Sequence, residues 1–199
     1  WDPMSSGIDE FEVNDFVDVV GDVSVYNGKL QLTIRRLRLA KEGEYTPENY
    51  FSVSEKSISD MYRELTAILD TVQNEWLRKL IDKYFAEQRF EKIFSAASAA
   101  KSVHHAFVGG LLEHTLSVVK LCEFYCTLYP FLNHDLLLTA AAFHDVGKIR
   151  ELSDFPENDY TDEGNLLGHI MIGAELVGFA CRQIGAPAKL TRELQHCIL

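Results

Sequence analysis

The side-chain period changes once along this chain, and that change limits the folds open to it. Residues 16–40 read FVDVVGDVSVYNGKLQLTIRRLRLA. Apolar and polar side chains alternate there over two runs, the period of a strand. Asn27-Gly28 lies between the runs and supplies two residues that tolerate positive φ, as a type I′ hairpin turn requires. The apolar parity slips between Ile34 and Leu37, so a bulge or strand end is expected near Arg35-Arg36. From Ser57 the period becomes helical. Ile58, Met61, Leu65, Ile68 and Val72 step by 3, 4, 3 and 4, which places them on one helix face. Ser57, with Asp60 three residues on, suits a helix start. A second helix is expected from about Asn74 to Phe85. The rest is helical by composition, punctuated by Gly109-Gly110, Pro130, Pro156, Gly164 and Gly185-Ala186-Pro187. Residues 41–56 are polar, with Gly43 and Pro47, and read as a connection.

The expected fold is therefore mainly α: a helical bundle preceded by a partial β segment. Two or three strands cannot bury a core alone, so the β part reads as the remainder of a small β domain. We place that segment at residues 1–45, a linker at 46–56 and the helical domain at 57–199. Hydrophobic residues make up 47% of the 199, enough for a packed core and too many for a disordered or fibrous chain. The net charge is 19 − 30 = −11. A chain that holds nucleic acid by bulk charge is basic, so any such role here needs a local patch or a metal. Cys122, Cys126, Cys181 and Cys197 sit in apolar, helix-like segments and are expected to be small buried hydrophobes in a reducing compartment. No stretch approaches about 18 consecutive apolar residues, and the start lacks a secretory pattern. A cytoplasmic protein with no membrane partner is the expectation. The chain opens on Trp1 in a loop-like WDPMSSG and closes at ELQHCIL, inside an uncapped apolar pattern. Both ends read as cuts in a longer protein.

Histidine carries most of the chemical information. The apolar run Leu136 to Phe143 ends in His144-Asp145. Two costly polar groups at the end of a buried helix need compensation, and a divalent metal supplies it, since imidazole and carboxylate both ligate zinc, manganese or iron. The competing reading is an aspartate capping a turn, with the histidine merely adjacent. His114 lies 30 residues before His144, early in a helix that follows Gly109-Gly110, and His169 lies 24 residues after Asp145, near the start of another. A bundle can bring groups from three helices together and leave open positions for water and substrate.

HDVGK, flanked by His114 and His169, resembles the HD superfamily of metal-dependent phosphohydrolases. The phrases HHAFVGGLLEHTLSVV, HDVGKIREL and GNLLGHIMIGAELV are similar to the YhaM-type 3′→5′ exoribonuclease family, whose members carry an OB-fold domain before the HD domain. VVGDVSVYNGKLQLTIRRLRLA resembles the later strands of that OB fold, so the likeness spans nearly the whole chain. The resemblance implies that His114, His144, Asp145 and His169 are metal ligands, that Asp145 bridges two ions, and that Lys148 approaches the substrate phosphate. Asp145 and Lys148 are then the catalytic pair. The implied cofactor is a divalent ion, Mn2+ first, with Zn2+, Fe2+ and Mg2+ as alternatives. The chain ends before a further histidine pair and a closing aspartate of that family. His196, one helical turn short of that pair, is a weaker candidate. His104, His105 and His134 are assigned to structure or to the rim of the site.

Two further readings stay open at this point. Glu113, beside His114, either orients a ligand or water or is an ordinary solvated residue. Tyr26, Lys29, Arg35, Arg36 and Arg38, with Lys41, form the clearly basic stretch of an acidic chain. They suit a single-strand groove with an aromatic platform, or a hairpin edge guarded by charge. The expected function is metal-dependent 3′→5′ hydrolysis of single-stranded RNA, with single-stranded DNA as a second polymer and a homo-oligomer left open. The alternatives are a nucleotide or cyclic-dinucleotide phosphohydrolase and a non-catalytic nucleic-acid-binding module with a degenerate HD domain.

Overall fold

A computed structural model describes residues 10–12, 15–46, 49–50, 53–101, 106–155 and 157–199. The chain divides into two compact units, Trp1–Tyr50 and Phe51–Leu199. The first is built on an antiparallel hairpin of β1 (Val17–Tyr26) and β2 (Lys29–Leu39). Tyr26 pairs with Lys29, and Asn27 and Gly28 take φ of 50° and 74°. Both signs are those of the expected I′ turn. The register skips Arg35: Val20 faces Arg36 while Gly21 faces Ile34. The parity slip is thus a bulge with Arg35 as the extra residue. Leu37 is buried, while Val23, Val25, Leu30 and Leu32 are exposed. Phe16 stacks on Tyr45 with ring centroids 4.0 Å apart.

The second unit is helical: α1 (Ile58–Leu69), α2 (Glu75–Phe85), α3 (Gln88–Ala96), α4 (Gly110–Leu128), α5 (His134–Phe143), α6 (Lys148–Glu151), α7 (Asp162–Gln183) and α8 (Ala188–Ile198). The expected mainly helical architecture after a partial β segment is the one observed. Ser57 caps α1 by accepting from the Asp60 amide, and Asn74 caps α2 by accepting from Trp76 and Leu77. Met61, Leu65 and Leu69 of α1 meet Leu111 and Leu112 of α4 in one core that also holds Leu80, Phe94, Leu138 and Val177. Residues 53–56, within the span read as a linker, bond to this unit. The Ser54 amide donates to Val108, and Ser54 Oγ and Lys56 Nζ donate to Glu113.

Asp135 at the start of α5 holds the α1–α2 connection. Its Oδ2 accepts from the amides of Gln73 at 3.0 Å and Asn74 at 2.6 Å. Burial pushes this carboxyl up, but the bond with His134 and the two amides outweigh it and hold it below the usual carboxylate range. The folded value is depressed, so the stabilisation is complete above the unfolded value and fades as pH falls through the folded one. Asp135→Asn is expected to cost about 2 kcal/mol at neutral pH and less in acid. Urea unfolding at pH 7 and pH 3 checks this, and an equal loss at both would refute it.

By length and composition α7 is apolar enough to cross a membrane. Gly168, at φ 73° and ψ 157°, breaks it into two helices. Each piece is shorter than the about 20 residues that a span needs, and Ile172, Ala174, Val177 and Ala180 are core residues. The cysteines depart from expectation. All four are free thiols, and Cys181 is buried, but Cys122 and Cys126 are only partly covered and Cys197 is exposed. Each residue turns about 100° around a helix, so Ile198 takes the inward position on α8 and Cys197 faces out.

Candidate metal centre

The site starts with the apolar sequence of α5. Leu138, Thr139, Ala140, Ala141, Ala142 and Phe143 are all buried, which drives the helix end into the interior. The Phe143 ring packs edge-on against Tyr84 and Phe85, each with centroids 5.5 Å away. That cluster fixes where the chain leaves α5, and His144 and Asp145 follow at once. Asp145 is 8% exposed. Its Oδ2 lies 3.4 Å from His114 Nε2 and 3.5 Å from His144 Nε2, and those two nitrogens are 3.1 Å apart. Its Oδ1 lies 3.4 Å from His169 Nε2. The structure therefore brings together all four expected ligands, around the two oxygens of one carboxylate. The turn-capping alternative for Asp145 fails, because its backbone carbonyl, not its side chain, accepts the Lys148 amide.

Outer contacts set the tautomers. His144 Nδ1 is 2.7 Å from the Ala141 carbonyl, which can only accept. Nδ1 therefore carries the proton and Nε2 presents a lone pair. His169 Nδ1 is 2.8 Å from Glu151 Oε1, which also accepts the His169 amide at 2.9 Å. That arrangement leaves the His169 Nε2 lone pair aimed at Asp145 Oδ1. Lone pairs facing a carboxylate repel one another unless a cation lies among them. His114, His144 and Asp145 supply three donor atoms all within 4.8 Å of one another. Nitrogen and oxygen donors in this number fit a divalent transition metal, so the donor set passes the test for a metal.

Two glycines permit this geometry. A Cβ on Gly147 would stand 2.0 Å from the His169 carbonyl oxygen, so only glycine lets the turn after Asp145 lie against α7. The positive φ of Gly168 interrupts the helix, which frees the His169 amide to meet Glu151 rather than a preceding carbonyl. The expectation that His169 stands at a helix start is met by the second half of a broken helix.

Lys148 opens α6, with Nζ 3.9 Å from Asp145 Oδ2 and 4.0 Å from Glu151 Oε2. Glu113 points elsewhere, its oxygens receiving Ser54 Oγ and Lys56 Nζ at 2.7 Å each. It anchors the stretch before α1, and neither earlier reading of it described that role. His134 bonds to Asp135 at the far end of α5, and His196 is exposed on α8. His104 and His105 lie outside the described residues. On the hairpin, Arg35 pairs with Asp22, and Arg38 pairs with Asp18 at 2.9 Å and Glu44 at 2.7 Å. Those acids offset two of the expected basic groups, whereas Tyr26, Lys29 and Arg36 are exposed.

Glu151 is the residue that the sequence did not announce. It is 7% exposed and holds His169 through both ring and backbone. Groups of this kind commonly change metal affinity by about 10- to 100-fold. Glu151→Gln is expected to weaken metal binding by about tenfold with helicity unchanged. Competition with a chelating dye measures it, and unaltered affinity would remove Glu151 from the site.

Residues 111–190, which contain every one of the expected ligands, match the family model of the HD domain. That stretch of the chain is an HD domain. The whole chain is also 34% identical over 200 residues to the 3′-5′ exoribonuclease YhaM of Geobacillus sp. (strain WCH70), in an alignment that spans 100% of this chain and 61% of that protein. The HD-domain chain thus covers less than two thirds of its relative. No solved structure matches it significantly.

Proposed function

We propose that this HD-domain chain is part of a metal-dependent phosphohydrolase that removes nucleotides from the 3′ end of single-stranded RNA. One observation carries the reading: both oxygens of the buried Asp145 carboxylate face histidine Nε2 atoms. Such a carboxylate suits a bridge between two sites, with His114 and His144 on one side and His169 on the other. Bound there, divalent ions would lower the pKa of a coordinated water toward neutrality and take up charge developing on the phosphate. Lys148, beside the same carboxylate, neutralises a non-bridging phosphate oxygen. Glu151 keeps His169 in the tautomer that offers Nε2. Attack of water on phosphorus breaks the bond to the 3′ oxygen, which leaves as a hydroxyl after taking a proton. The released product is a nucleoside 5′-monophosphate. The relative's name supports RNA as the polymer. Mn2+ remains the first choice of metal, and DNA is the second polymer. The segment of residues 1–45 is proposed as an OB-like strand-binding part, with Tyr26, Lys29 and Arg36 exposed on its hairpin.

A 5′-labelled single-stranded RNA incubated with the protein and Mn2+ tests this. Products that shorten stepwise from the 3′ end are expected. Intact RNA alongside mononucleotide hydrolysis would replace the reading with a nucleotidase, and intact RNA with no bound metal would leave a binding module.

A further inference from the structure

A cleft of about 430 Å3 opens between α3 and the segment that runs from Lys148 through α6 to residue 155. That volume falls within the about 300–1,000 Å3 of small-molecule sites. Its wall is largely apolar, with Ile93 and Ala97 from one side and Ile149 and Leu152 from the other. Two cations of α3, Arg89 and Lys92, sit on its border. They are spaced i, i+3 and share a helix face. Both are exposed, and neither makes an ion pair among the described residues. Lys148 lines the same cleft while its Nζ stands 3.9 Å from Asp145. It therefore connects the cleft with the metal centre. Lys148 is balanced by Asp145 and Glu151, but Arg89 and Lys92 stand against the single carboxylate of Asp154 in the lining, which makes the border locally positive on a chain of net charge −11.

We propose that this cleft is a nucleotide subsite: the base and ribose of one substrate nucleotide lie on the Ile93–Leu152 wall, and its phosphate turns toward Lys148. Flat, weakly polar rings pack well on such a wall. Arg89 and Lys92 at the mouth attract the neighbouring backbone phosphates of a strand. The occupant is a nucleoside monophosphate unit rather than free phosphate, because phosphate alone would leave the apolar wall uncovered. This inference rests on the phosphohydrolase reading above and assigns the part of the molecule that holds the nucleoside.

The test measures binding of AMP and of inorganic phosphate to the metal-loaded full chain by calorimetry. AMP is expected to bind at least about tenfold more tightly than phosphate. Ala96→Trp, which places an indole in the cleft from the exposed end of α3, is expected to weaken AMP by about tenfold and leave phosphate as it was. Arg89→Glu with Lys92→Glu changes only exposed positions. It should raise KM for a short RNA by about tenfold, with kcat and metal content held. AMP binding no tighter than phosphate would overturn the subsite, as would AMP affinity and KM unmoved by both variants. If the protein leaves RNA intact yet AMP binding follows the expected pattern, the exonuclease reading falls and the subsite stands.

Discussion

Asp145→Ala is expected to remove bound metal and hydrolysis together while leaving the helices in place. The side chain faces three imidazoles and the Lys148 ammonium, and none of its side-chain oxygens caps a helix among the described residues. Its loss takes away the one group that touches both halves of the site. His114 and His144 keep two nitrogens on one side, and His169 is left alone on the other, too few donors to hold an ion. A metal contributes several kcal/mol to the transition state, so turnover should fall by roughly three orders of magnitude or more. Elemental analysis of the purified variant, its far-UV spectrum and its rate on RNA read the three parts separately. Full metal content with full turnover would place the chemistry elsewhere.

Gly147→Ala is expected to damage the fold and the site at once. The added Cβ would meet the His169 carbonyl oxygen at 2.0 Å and the Gly173 amide nitrogen at 2.8 Å. Both are backbone atoms, so no side-chain rotation relieves the clash. The turn after Asp145 and α7 must move apart, carrying His169 from Asp145. Overpacking of this kind costs about 3 kcal/mol or more. Tm should drop by roughly 10 °C. Metal affinity should fall with it, because the displaced residue is itself one of the proposed donors. Calorimetric unfolding and a dye competition give both numbers. An alanine variant with unchanged Tm would mean that α6 and α7 do not approach as described.

Much of this was legible in the sequence because it rests on local rules. The Asn27-Gly28 turn, the parity slip that became the Arg35 bulge, and the Ser57 and Asn74 helix starts each follow from a few neighbouring residues. His144 and Asp145 stood out because a long apolar run ended on two polar groups. Glu151 did not, because it sits between Arg150 and Leu152 in a short polar stretch that reads as surface. Only the packing of α6 against α7 buries it. The pairing of Arg38 with Asp18 was hidden for a similar reason, since it depends on which acid the register sets opposite, and Arg35 reaches Asp22 from the bulge. The break at Gly168 was half visible: His169 was expected near a helix start, which the second half of the broken α7 supplies.

The four donors come from α4, from the turn beyond α5 and from the second half of α7. Chain segments between residues 114 and 169 must therefore be folded before an ion can be held. Any ion bound by the native chain and not by the unfolded one adds to stability by mass action, about 2.7 kcal/mol at a hundredfold excess over Kd. Such a cation would act as a cross-link, and the free metal concentration around this protein would help to decide how much of it is folded.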